Sequence, residues 1–165
     1  MAIADLSRLI NRELASLSDE LLAYPNEADM WALPKGMPNS GGNLALHLVG
    51  NLRFYIGTQF GATGFVRDRD AEFSKKGVPR AEILKSIETA ADEVTRTLAN
   101  FDPALLDKVF PVEVGGHKIL TGLFLHHLAS HLAYHLGQID YHRRIVTGNS
   151  VSVGTIPIPS IAITA

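Results

Sequence analysis

The sequence predicts an all-α protein: a four-helix bundle with crossover connections, a short hairpin before the last helix and an extended C-terminal tail. Three observations carry this expectation. Four long segments place apolar side chains at spacings of three and four. Proline and glycine cluster between those segments. The connectors at 25–42 and 61–78 are long enough to permit crossovers rather than a strict up-down-up-down order.

The first helix is expected from Asp5 to Tyr24, with Leu6, Ile10, Leu14, Leu17 and Leu21 on one stripe and Arg12, Glu13 and Glu20 on other faces. Pro25 and Asn26 end it. Residues 25–42 carry three prolines and three glycines, a connector with Trp31 and Leu33 as apolar pins. Asn43 can cap a second helix reaching about Phe60, apolar on most of its circumference and therefore deep in the fold. Residues 61–78, glycine-rich and then charged (RDRDAEFSKKG), read as a connector with one loose turn. Pro79 suits the start of a third helix, Arg80 to about Asn100, buried along Ile83, Ile87, Ala90, Val94 and Leu98. The stretch from Val109 to Leu120 alternates loosely around Gly115-Gly116, the pattern of a short hairpin, and Pro111 places it at an edge. The fourth helix covers Thr121 to about Thr147 and stops at Gly148. Residues 149–165, β-branched and apolar with two prolines, are set apart from the helical domain at 1–148. They are expected to lie extended over it or to reach a partner subunit, in a homodimer.

Composition excludes several classes. The chain is 46% hydrophobic and 19% charged, with a net charge of −2 and a pI near 6.4, so no basic surface suggests nucleic acid or anionic lipid as a partner. It has no cysteine, which rules out disulfides, thiolate metal sites and a cysteine nucleophile. No secretory signal or apolar run of membrane-spanning length is evident, and a cytoplasmic location is expected.

Any metal must therefore take nitrogen and oxygen ligands, and four of the seven histidines lie between His126 and His135. Residues four apart on a helix advance by only about 40°, so His127, His131 and His135 share one stripe, which continues through Gln138 and His142. Two imidazoles at that spacing reach one ion. Three do not, because eight residues span ~12 Å of helix. One adjacent pair is needed, with another ligand from elsewhere, and spacing alone leaves either pair open. The second helix offers His47, isolated in an apolar LALHLVG run.

The run His131-Leu-Ala-Tyr-His135-Leu-Gly-Gln138, followed by Tyr141-His-Arg-Arg, resembles the final-helix signature of the DinB-like (YfiT-like) superfamily. The upstream run His47-Leu-Val-Gly-Asn51-Leu is similar to its second-helix motif, and the separation of the two suits the family. The resemblance covers roughly residues 4–147. It implies a bundle holding one divalent metal ion, nickel or zinc, on His47, His131 and His135. It also implies a thiol-dependent transferase that uses a low-molecular-weight thiol on a small molecule. Metal-dependent hydrolysis and a non-catalytic, stress-linked dimeric module are the competing functions.

Three further residues are candidates for contacting the ligands or a substrate: Asn51, one turn from His47, and His127 and Gln138 on the stripe. Tyr134 and Tyr141 are expected to pack, and Arg143 and Arg144 to complement the helix dipole. His117 and His126 read as edge residues. Asp140 points away from the histidine stripe, so the final helix offers no carboxylate ligand and the site is expected to be open.

Overall fold

The structure, a computed structural model, describes residues 2–162 and is all-helical over them. Five α-helices follow in order: α1 (Ile3–Leu22), α2 (Gly41–Leu52), α3 (Arg69–Ser74), α4 (Arg80–Ala99) and α5 (Thr121–Thr147). The long helices α1, α4 and α5 lie where their periodicity places them. Both α1 and α2 pack on α4 and on α5, and α3 lies against α2. No described helix is long and apolar enough to cross a membrane.

The predicted stripe of α1 is buried throughout: Leu6, Ile10, Leu14, Leu17 and Leu21. Each such side chain contributes roughly 1.5–3 kcal/mol on leaving water, which holds α1 in place more firmly than its helical propensity does. Glu20, assigned to another face, is also fully buried. Its carboxylate accepts from Arg143 Nε at 2.6 Å and from the Thr155 hydroxyl at 2.9 Å. Arg143 is itself 0% exposed, so it serves as a buried partner and not as a solvated counter-charge to the helix dipole. The remaining guanidinium nitrogens donate to Asp140 and to the Asn149 and Val151 carbonyls. The tail thus runs back over this ion pair and along α1, where Ile156 N–H meets Ser16. Residues 163–165 of the expected tail lie outside the described residues.

The connector at 25–42 contains a 3₁₀ turn, Glu27–Trp31, whose buried pin is Met30. Trp31 is partly buried against the core as expected. Leu33 is half exposed and pins nothing. Tyr24, also buried, donates to His142 Nδ1 at 2.7 Å, while His142 Nε2–H donates to the Ala32 carbonyl at 2.9 Å. Together they bolt the connector to α5.

This arrangement requires a neutral His142, and burial lowers its pKa against the opposing pull of the Ala32 carbonyl. A base depressed in the folded state stabilises it fully above the unfolded pKa near ~6.5, and that stability drains away as pH falls through the folded value. We expect the melting temperature of metal-free protein to drop from pH 7 to pH 5, and His142→Asn to start lower but fall less steeply. Parallel slopes in thermal scans would contradict this account.

The cap of α2 is Ser40 and not Asn43: the Ser40 hydroxyl accepts from Asn43 N–H at 3.2 Å. The helix then runs into a π-helical segment, Arg53–Thr58, and a last α turn, Gln59–Gly61. Here Arg53 pairs with Glu93 on α4 at 2.9–3.0 Å. The hairpin is present as two isolated antiparallel bridges, Val109 with Leu120 and Val114 with His117. Gly115 and Gly116 both take positive φ, 58° and 78°, as a two-residue turn of this kind requires. Gly148, left-handed at φ 68°, ends α5.

Candidate metal centre

The three histidines carried by α2 and α5 converge. Each of His47, His131 and His135 offers a ring nitrogen, and the three nitrogens lie within 4.8 Å of one another. His47 Nε2 is 3.2 Å from His131 Nε2. Two nitrogens bound to one tetrahedral ion at ~2.0–2.1 Å would stand about 3.3 Å apart, so this pair already has ligand spacing. One full turn of α5 separates His131 from His135, whose rings meet edge-on at 4.5 Å between centroids.

Two of the three imidazoles are held in one tautomer by a group behind them. His47 Nδ1 lies 2.9 Å from Glu72 Oε2 and 3.2 Å from Arg67 Nη2; with Nη2 donating to Glu72 Oε2 at the shorter 2.8 Å, the carboxylate accepts the Nδ1 proton and leaves Nε2 with its lone pair. Glu72 is in turn gripped by Arg67, with Nε to Oε1 at 2.7 Å and Nη2 to Oε2 at 2.8 Å. Burial acts to raise the Glu72 pKa, but bonds from Arg67 and His47 outweigh it and hold the carboxyl below its usual value. On the other side, His135 Nδ1 lies 2.6 Å from Gln138 Oε1. The amide carbonyl accepts that proton, and Nε2 is again free. His131 differs: its Nδ1 is buried without a partner among the described residues.

The electrostatics suit a cation. Burial, followed by the neighbouring His135 and His47, pushes the His131 pKa down to about 4. Burial also lowers His135, against the opposing Gln138 bond. Both rings are therefore neutral at pH 7, as a ligand must be. In the metal-free protein an Nε2–H of His131 can donate across this 3.2 Å gap to the His47 Nε2 lone pair, and a divalent ion would take the place of that single proton. By donor chemistry, spacing and protonation, the residues present fit a borderline-soft divalent ion such as zinc or nickel.

The other expected residues divide. Gln138 hydrogen-bonds His135. Asn51 does not: it is buried, its Oδ1 has no partner, and it makes no hydrogen bond to an imidazole among the described residues. His127 is exposed, with its ring stacked on Phe124 at 5.7 Å and 5.8 Å from His131. Tyr134 and Tyr141 are 64% and 68% exposed and so are not packed into the core. Asp140 is tied to Arg143 and Arg144 and brings no carboxylate to the centre.

Glu72 and Arg67 lie in the stretch read as a loose connector. A six-residue helix is too short for periodicity to show, and its one local signal is Asp68, whose side chain caps Ala71 N–H at 2.9 Å. What anchors α3 is Asn43. Its amide donates to the Glu72 and Lys75 carbonyls, both at 2.9 Å, which sets Glu72 behind His47.

Gly50 completes the approach. A methyl group there would collide with Glu72 Oε1 and meet its Cδ at 2.9 Å. The carboxylate cannot step aside, being held by Arg67 and His47 at once. Gly50→Ala should favour α2 by up to ~1 kcal/mol on propensity yet weaken zinc binding roughly 10–100-fold, as losing a group that orients a ligand does. Competition titration against a zinc chelator reads this directly, and unchanged affinity would show that Glu72 does not need its present place.

No curated protein matches the chain. Residues 3–160 match a family described as a protein of unknown function, DUF1572. With the match spanning nearly the whole sequence, the chain belongs to the DUF1572 family.

Proposed function

We propose that this protein is a divalent-metal protein of DinB-like type, with zinc or nickel on His47, His131 and His135. In this reading it is a metal-dependent enzyme that brings a low-molecular-weight thiol to an electrophilic small molecule. The observation that carries it is the Arg67–Glu72–His47 chain beside the His135–Gln138 pair. Each fixes an Nε2 lone pair toward one point, and a bundle has no folding need for two such oriented imidazoles.

The described groups supply three ligands and no fourth, the pattern of a catalytic site with an exchangeable position and not of a closed structural one. A metal bound there would supply Lewis acidity, able to stabilise a thiolate or a hydroxide near neutral pH. The chain's own residues hold it: Glu72 and Gln138 keep the Nδ1 protons in place, and burial keeps His131 neutral.

Metal-dependent hydrolysis is the second reading: like the thiol reaction it needs no cysteine in the chain, and it asks only for water at the exchangeable position. X-ray absorption on cobalt-substituted protein separates the two. Three nitrogens and an exchangeable oxygen are expected, with sulfur replacing the oxygen on addition of a small thiol. Retained oxygen at millimolar thiol would favour hydrolysis. Four protein ligands, or no stoichiometric metal in untagged protein after incubation with zinc or nickel, would remove the enzyme reading.

A further inference from the structure

A cavity of about 380 Å³ lies between the Gly36–Asn39 connector, Leu44 at the start of α2, and α5. Its wall includes His135 and Gln138, so it adjoins the three-histidine centre through a residue of the centre itself. The volume is at the small end of ligand pockets, about 300–1,000 Å³.

Its chemistry is restrictive. Among the described residues no Lys, Arg, Asp or Glu lines it, and most of its wall is apolar, from Met37, Pro38, Leu44 and the rings of Tyr134 and Tyr141. A charged ligand body would lose hydration here and gain no counter-ion. The two tyrosines stand 64% and 68% exposed at its edge, large flat surfaces that no part of the described chain covers. Histidines aside, the cavity's directional polar groups are the Asn39 and Gln138 amides and the hydroxyls of Tyr134 and Tyr141, and of these Gln138 hydrogen-bonds a histidine of the centre. Gln138 Oε1 is committed to His135, and its amide nitrogen makes no hydrogen bond among the described residues. That N–H₂ is free to donate to an oxygen of a ligand.

We propose that this cavity is the binding site for the uncharged, ring-bearing body of a small molecule, oriented by a carbonyl-type acceptor on Gln138 and by stacking on Tyr134 and Tyr141. The assignment rests on the metal-centre reading only for the head group, which would sit at the histidines while the ring occupies the cavity.

The test uses the full chain in two states. On zinc-loaded protein, calorimetry compares benzohydroxamic acid with acetohydroxamic acid, which share one metal-binding head and differ by the ring. The ring should tighten binding about tenfold, the scale of burying a small apolar surface. A carboxylate at its para position should cancel the gain. In Tyr134→Ala and Tyr141→Ala the ratio of the two affinities should fall toward one. On metal-free, ¹⁵N-labelled protein, acetanilide, which has the ring and a carbonyl but no metal-binding head, should shift the Gln138 side-chain amide resonances. If zinc fails to bind but acetanilide shifts Gln138, the cavity assignment stands and the metal reading falls. Equal affinities for the two hydroxamates, with no Gln138 shift by acetanilide, would overturn the cavity assignment whatever the metal result.

Discussion

On the proposed reading, His131→Ala is expected to abolish stoichiometric binding of zinc or nickel. His131 is the middle histidine of the three: its Nε2 stands 3.2 Å from that of His47, and its ring meets that of His135 at 4.5 Å. Without it, the remaining two imidazoles lie on different helices and share no chelate ring, so the loss should exceed the ~10–100-fold that follows removal of an orienting partner. Glu72→Gln provides the graded comparison. It keeps the side chain's shape but exchanges a charged acceptor for a neutral one, and should fall within that ~10–100-fold range. Metal analysis after dialysis, with chelator competition for the weaker variants, gives both numbers. If Glu72→Gln binds zinc like the wild type while His131→Ala does not, the carboxylate is only a structural partner of Arg67. If His131→Ala retains full metal, the three-histidine centre is wrong.

The second large effect is on stability. Glu20→Ala should destabilise the protein by roughly 3–5 kcal/mol, because it strands a guanidinium that is 0% exposed. For a chain of this length that corresponds to a fall in melting temperature of very roughly 10 °C. Arg143 would still hold Asp140 and the tail carbonyls, but the short bond to Glu20 would be gone. The double variant Glu20→Met with Arg143→Met removes both charges, and it should be more stable than Glu20→Ala alone. Urea denaturation followed by circular dichroism distinguishes these outcomes. A single variant within ~1 kcal/mol of wild type would mean that water reaches the pair when the tail lifts.

Where the sequence was legible, its signal was local. The stripes of α1 and α4 and the whole span of α5, from Thr121 to the left-handed Gly148, follow from apolar spacing and termination chemistry. The Gly115-Gly116 turn follows from two adjacent positive φ values that only glycine adopts freely. For the site, one-stripe geometry gave two possible histidine pairs on α5, and only the likeness of the motif to a known signature chose between them. Tyr134, Tyr141 and Arg143 went the other way: nothing in a helical wheel tells which side of α5 a partner helix covers. Arg143 faces α1 and is buried by Glu20 and the tail, whereas the tyrosines border an open cavity.

By itself the sequence determined the helical class, the borders of the long helices and the chemistry available to a metal, since periodicity, capping and the absence of cysteine are properties of short stretches or of the whole composition. Tertiary structure alone decided that His47 meets His131 and that Glu72 and Arg67 stand behind it. It also decided that Asn43 clamps α3 where a cap was expected, and that Glu20 is buried. Those contacts join residues 25 to 123 positions apart. A side chain's partner at such separations is fixed by how helices pack, and the energy that sets the packing is spread over the whole core rather than written at either residue.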